Sequence, residues 1–167
     1  MRNGWNPFGY ITRRTDTAVG ISVNPDDYTD AQEFELAVSI HASIGVQCLL
    51  QDRPLTAHAG DDHTTPRNAT TFLDSCSAIE PDLDDNPNLA QGTLDYAADA
   101  SFYYFTVGRL KDVDEIKHMA LALPRSATCV VRQAAVSQQR AIRRFPNFTL
   151  ATVGDLNDLP MIMGVLS

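Results

Sequence analysis

The chain has 167 residues, of which 44% are hydrophobic and 20% charged, with nine glycines and nine prolines; this describes one globular domain with a substantial core and excludes collagen-like and low-complexity chains. A net charge of −8 argues against a duplex-binding surface, which needs cations to displace counterions, and against docking on an anionic membrane face. No run approaches about eighteen apolar residues, so no membrane span is expected, and residues 1–10 lack the apolar centre of a secretory signal.

Residues 1–16 show no period and are expected to be irregular, leaving 17–167 as one domain. Residues 17–23 (TAVGISV) form a short β-branched apolar run, which predicts a buried strand, and Asn24-Pro25-Asp26-Asp27 ends it with turn chemistry. Thr29 with Gln32, and Asp30 with Glu33, match a capping box, so a helix is expected from there to about Gln51. Phe34, Ala37, Val38, His41, Ile44 and Cys48 share one face, and apolar residues in other directions make it a largely buried helix. A weak strand at 54–59, a polar loop at 60–66 and a helix over 70–79 with Pro66 in its first turn come next. Residues 80–88 read as an acidic loop and 89–98 as a helix.

Residues 101–107 (SFYYFTV) carry aromatic and β-branched side chains without a charge, the strongest strand signal in the chain. A helix over 112–123 follows, with Asp114 and Glu115 in its first turn and Pro124 as its stop. Then come a buried strand at 127–131, a short arginine-bearing helix at 137–145, a strand at 148–153 and a final helix beginning at Asp158-Leu159-Pro160. Strands alternating with helices predict an α/β fold: a three-layer, doubly wound, mainly parallel sheet of the Rossmann-like kind.

Cys48, Cys76 and Cys129 are odd in number and far apart, and each sits in an apolar stretch. No C-x-x-C pair exists for a zinc ribbon or a redox site, so free thiols in a reducing cytoplasm are expected. Lys111 and Lys117 are the only lysines among thirteen basic residues, which reads as coding bias before function. The arginine clusters at Arg13-Arg14 and at Arg140, Arg143 and Arg144 read as solvated faces.

The segment 34–43 (FELAVSIHAS), the run 105–110 (FTVGRL) and the following 127–131 (ATCVV) together resemble the actinobacterial branch of the "domain of unknown function 58" family. In that family an A-V-S-x-A-A-S helix follows the first strand, and an apolar strand ending V-x-G-R-L comes later. The order of residues 139–145, 150–153 and 156 onward also resembles its closing helix-strand-helix pattern, and the likeness covers roughly residues 18–166. The resemblance implies a von Willebrand factor A-like domain. It also implies a MoxR-type AAA+ ATPase as partner, and full-length relatives anchored by membrane helices ahead of this domain.

Metal-binding members of the A-domain superfamily carry D-x-S-x-S after the first strand, oxygen ligands suited to Mg²⁺. The best placement is 20–24 (GISVN), where Gly20 replaces the leading carboxylate and Asn24 the second serine. Asp26 and Asp27 lie beyond Pro25, which is expected to keep them from the crevice. Asp61, Asp62, Thr64 and Thr65 could ligate a cation but read first as turn and cap chemistry. His58 and His63 have no metal-ligand spacing, and His41 reads as a core histidine. No metal or other cofactor is expected.

The chain lacks a G-x-S-x-G elbow, a P-loop and G-x-G-x-x-G. Two functions remain. The first is a non-enzymatic interaction module. Its strand carboxyl edge, lined by Ser22, Asn24, Asp26, Asp27, Asp61, Asp62, Thr64, Arg109 and Asp155, would meet a basic protein partner. The alternative is a small metal-dependent hydrolase or transferase using the loop carboxylates.

Overall fold

The computed structural model describes residues 16–84, 89–94 and 96–158. Except for Asp16, the segment expected to be irregular lies outside them, as do Leu159 and Pro160 of the expected final helix; Leu156–Asp158 form a 3-10 turn.

The elements follow in order β1 (Thr17–Ile21), α1 (Ala31–Leu50), β2 (Leu55–Ala59), β3 (Asp62–Thr64), α2 (Ala69–Ser77), α3 (Leu89–Leu94), β4 (Phe102–Gly108), α4 (Val113–Leu121), β5 (Thr128–Ala134), β6 (Ala141–Arg144) and β7 (Thr149–Val153). They build one sheet of seven strands in the order β3-β2-β1-β4-β5-β7-β6. The five central strands pair in parallel, and β3 and β6 add antiparallel edges. The three-layer, doubly wound, mainly parallel sheet is as the sequence predicts.

The sheet separates two cores. Val19, Ile21, Leu55, Ala57 and Ala134 pack beneath α1 and α2, against Phe34, Ile40, Ile44 and Phe72. On the opposite face Tyr103, Phe105, Val107 and Val131 pack beneath α3 and α4, against Leu89, Ile116 and Met119. Strand β4 contributes to both, which explains why its sequence does not alternate between apolar and polar.

Helix α1 starts at Asp30, whose carboxylate accepts from the Glu33 amide at 2.9 Å. It has the length and, at a mean hydropathy of 1.2, the composition of a membrane-crossing segment. Here the helix lays Phe34, Ala37, Ile40, His41, Ile44 and Cys48 into the protein core.

Three local expectations are overturned. The polar loop over 60–66 contains β3, an edge strand joined to β2 by the two-residue turn Gly60-Asp61, with Ala59 opposite Asp62. Gly60 adopts φ 60°, which a glycine at the first turn position accommodates without strain. Helix α2 is capped by Asn68, whose side chain accepts from Thr71 N at 2.9 Å, so Pro66 lies ahead of the helix and not in its first turn. The arginine-bearing segment read as a helix over 137–145 is instead β6, antiparallel to β7 with Ile142 opposite Ala151. Arginine and alanine favour helix locally, but the tight link at Pro146-Asn147, where Phe145 N donates to Phe148 O at 2.8 Å, folds the segment back as a hairpin. Tertiary pairing overrides propensity here.

All three cysteines are buried and unpaired. Burial pushes the Cys76 thiol up to about 11 and that of Cys129 up to about 12, and raises Cys48 against the opposing charge of Arg53. A disulfide-exchange reagent at neutral pH is therefore expected to label none of them at an appreciable rate until denaturant is added. Rapid labelling of Cys48 in the native state would show that α1 presents another face to the sheet.

Candidate functional site

The strand order reverses between β1 and β4, and in open α/β sheets the crevice outside the carboxyl ends of the strands at such a switch point is where ligands bind. Ser22 N donates to Thr106 O at 2.9 Å, extending the β1–β4 ladder one residue beyond Ile21. The chain then enters a 3-10 turn, Pro25–Asp27, with Asn24 as its cap accepting from Asp26 N at 2.9 Å. This turn reverses direction. Tyr28 Oη returns to donate to Ser22 O at 2.6 Å, and Ser22 Oγ donates to the carboxylate of Asp27. Pro25, expected to keep Asp27 away from the crevice, is the residue that starts the turn bringing it back, because its fixed φ suits the first position of such a turn.

Strand β4 closes the other wall. Asp27 O accepts from Leu110 N at 3.0 Å. Gly108 allows this approach: a Cβ there would lie 2.0 Å from Asp27 O. Lys111 then turns inward. Its ammonium lies 3.8 Å from Asp27 Oδ2 and 3.4 Å from Glu115 Oε2, and the residue is only 5% exposed. Behind it Glu33, at 1% exposure, accepts from Thr29 N at 3.2 Å, Thr29 Oγ1 at 2.8 Å and Arg109 N at 2.9 Å. Three donors and a place in the first turn of α1 offset the burial of this carboxylate.

The structure brings Ser22 and Asp27 together and leaves the other expected edge residues apart. Asn24 and Asp26 sit on the 3-10 turn, with Asp26 exposed. Arg109 enters the crevice through its main chain, its amide on Glu33 and its carbonyl accepting from Gln133 Nε2 at 3.2 Å. Asp155 caps the turn after β7, accepting from Asn157 N at 2.8 Å. Asp61, Asp62 and Thr64 lie on the β2–β3 hairpin and line a separate cavity of about 540 Å³ between that hairpin, α1 and α2. On the other sheet face His63 stacks on Tyr96 with ring centroids 3.6 Å apart.

Two residues that the sequence reading did not single out as site residues carry the crevice. Glu33 was legible as a cap but not as a buried carboxylate. Lys111 could have been noticed as one of two lysines in an arginine-rich chain, directly beyond a strand end, since a compact ammonium and a planar guanidinium are not interchangeable.

No family model matches the chain, and no curated protein matches it either. Among solved structures it is similar to the von Willebrand factor type A protein from Catenulispora acidiphila, with a TM-score of 0.50 at 8% identity over 93% of this chain and 42% of that one. The protein has a von Willebrand factor A-like fold. It spans less than half of that relative's length, and at this identity the likeness concerns the fold alone.

In an A-like domain the switch-point crevice is where a divalent cation would sit. The residues present do not fit one. Gly20 supplies no carboxylate, and Asn24 uses its side-chain oxygen on its own turn. The Asp27 carboxylate already receives the Ser22 hydroxyl and faces the Lys111 ammonium, whose charge repels a metal ion. Among the described residues no three His, Cys, Asp or Glu side chains form a group that could hold a metal.

Proposed function

We propose that this A-like domain is a non-enzymatic protein-interaction module whose recognition edge is ordered by a tethered lysine cation in place of a metal ion. The observation that carries this reading is the nearly buried Lys111 ammonium beside Asp27, which in turn accepts the Ser22 hydroxyl. A metal ion leaves open coordination positions for chemistry, whereas an ammonium in this position offers none. Asp26, Asp61 and Asp62 remain exposed at the carboxyl edge and give it a charge suited to a basic partner. The family resemblance makes a MoxR-type AAA+ ATPase the partner to test. Three buried free thiols fit work in a reducing cytoplasm.

Charge reversal of Asp26 and Asp61 together is expected to slow association with such an ATPase by about tenfold at low salt, and less at high salt. The melting temperature should change little, since both side chains are exposed. Asp27 is left intact in this test because it is part of the crevice. An unchanged on-rate would remove this edge as the docking surface. In parallel, millimolar Mg²⁺ is expected to leave the melting temperature unchanged, whereas a site held at a hundredfold its Kd would add about 2.7 kcal/mol. A rise of several degrees, lost in Asp27→Asn, would favour a metal-dependent hydrolase or transferase instead.

A further inference from the structure

The cavity between the β2–β3 hairpin, α1 and α2 has two chemically distinct ends. Its rim carries Asp61, Asp62, Glu80 and Asp82, all exposed, and no lysine or arginine among the described residues lining it. Asp82 N donates to Val23 O at 2.8 Å, which holds the acidic segment after α2 near the carboxyl end of β1. The interior has apolar walls from Phe72, Ile79 and the hairpin alanines, with Ser75 and the buried His58 also lining it. His41, 2% exposed, also lines it, and its Nδ1 has no hydrogen-bond partner. A buried polar atom without a partner is a standing cost that a bound group can relieve.

We propose that this cavity binds a small organic cation with an apolar body and a hydrogen-bonding group at its far end. The ammonium or guanidinium head rests among the rim carboxylates. The body packs on Phe72 and Ile79, and the far polar group reaches the His41 imidazole. A volume of about 540 Å³ lies within the range of small-molecule sites, which combine apolar walls with a few polar groups that fix orientation. Anions are excluded by the rim. Purely apolar ligands gain the walls but leave His41 without a partner.

Three probes on the intact protein separate these features: tyramine (cation, aromatic body, distal hydroxyl), phenethylamine (no hydroxyl) and 4-hydroxyphenylacetate (reversed head charge). At neutral pH, tyramine is expected to bind saturably, shifting the His41 ring resonances, and phenethylamine to bind about fivefold or more weakly for want of the buried hydrogen bond. The anion should not bind. Asp61→Asn with Asp82→Asn should weaken tyramine by about tenfold, and His41→Leu should abolish the difference between the two amines. The proposal is overturned by equal binding of anion and cation, by equal affinity of the two amines for the unmodified protein, or by no saturable response of His41 to tyramine up to about 10 mM.

Discussion

Replacing Lys111 by methionine is expected to destabilise the protein by about 3 kcal/mol, at the low end of the range for breaking a buried ion pair. The lysine side chain is 3% exposed and that of Asp27 is 13% exposed. Without the ammonium, Asp27 keeps its charge in a nearly closed crevice with the Ser22 hydroxyl still bound to it. The low end applies because Asp27 retains some contact with water. Glu115 is 60% exposed and contributes little, as solvent-facing pairs do. Combining Lys111→Met with Asp27→Asn is expected to recover more than half of the loss, because no uncompensated charge remains. Lys111→Arg should behave more like the methionine variant than like a conservative change. Urea denaturation with an unchanged m-value measures all three. A loss below about 1 kcal/mol for Lys111→Met would place the pair among ordinary surface contacts and remove the tethered cation from the functional reading.

Acidification is expected to weaken the fold through His41. Burial, reinforced by the nearby His58, lowers the His41 pKa from 6.5 to about 4. The unfolded chain therefore takes up a proton at this site as pH falls through 6.5, while the folded protein resists doing so until about pH 4. Stability contributed by the neutral imidazole is complete above pH 6.5 and declines to its floor near pH 4. The size of the decline follows from the displacement and is roughly 3 kcal/mol. Carboxylates titrate in the same window, so the decisive quantity is the difference between the unmodified protein and His41→Leu. That difference should shrink or reverse sign as pH falls from 7 to 4, the leucine variant losing less stability on acidification. Parallel curves for the two proteins would mean that His41 takes up its proton as readily in the folded protein as in the unfolded chain.

The central parallel strands were legible because their residues face packing on both sides: Thr17–Ile21 and Phe102–Gly108 are apolar without alternation, and only a doubly covered strand tolerates that. The start of α1 was legible because Asp30 and Glu33 satisfy amides locally. The edge strands were not. Asp62–Thr64 is three polar residues, and Ala141–Arg144 has a helical composition; both are strands because a neighbour offers free main-chain partners. The Gly60-Asp61 pair was a usable hairpin signal. In the crevice Ser22 and Asp27 were named as separate edge residues, but their meeting depends on a reversal made by Pro25–Asp27. Lys111 reaches the same point from the turn after β4, eighty-odd positions later, a juxtaposition that spacing along the chain does not encode.

The two antiparallel edges bear on what kind of encounter this protein can have. An open parallel sheet ends in unpaired amides and carbonyls that invite a passing strand, whether from a partner or from a second copy in a crowded solution. Here one boundary is a three-residue strand carrying Asp62 and His63, and the other is a four-residue strand carrying Arg143 and Arg144. Each is too short and too polar to template further growth. Among the described residues, both edges of the sheet are therefore poor templates for strand addition, so a partner is expected to be met through loops and helix ends. The same termination should keep partly unfolded molecules from joining edge to edge, so heating is expected to yield unfolded chains before it yields fibrils.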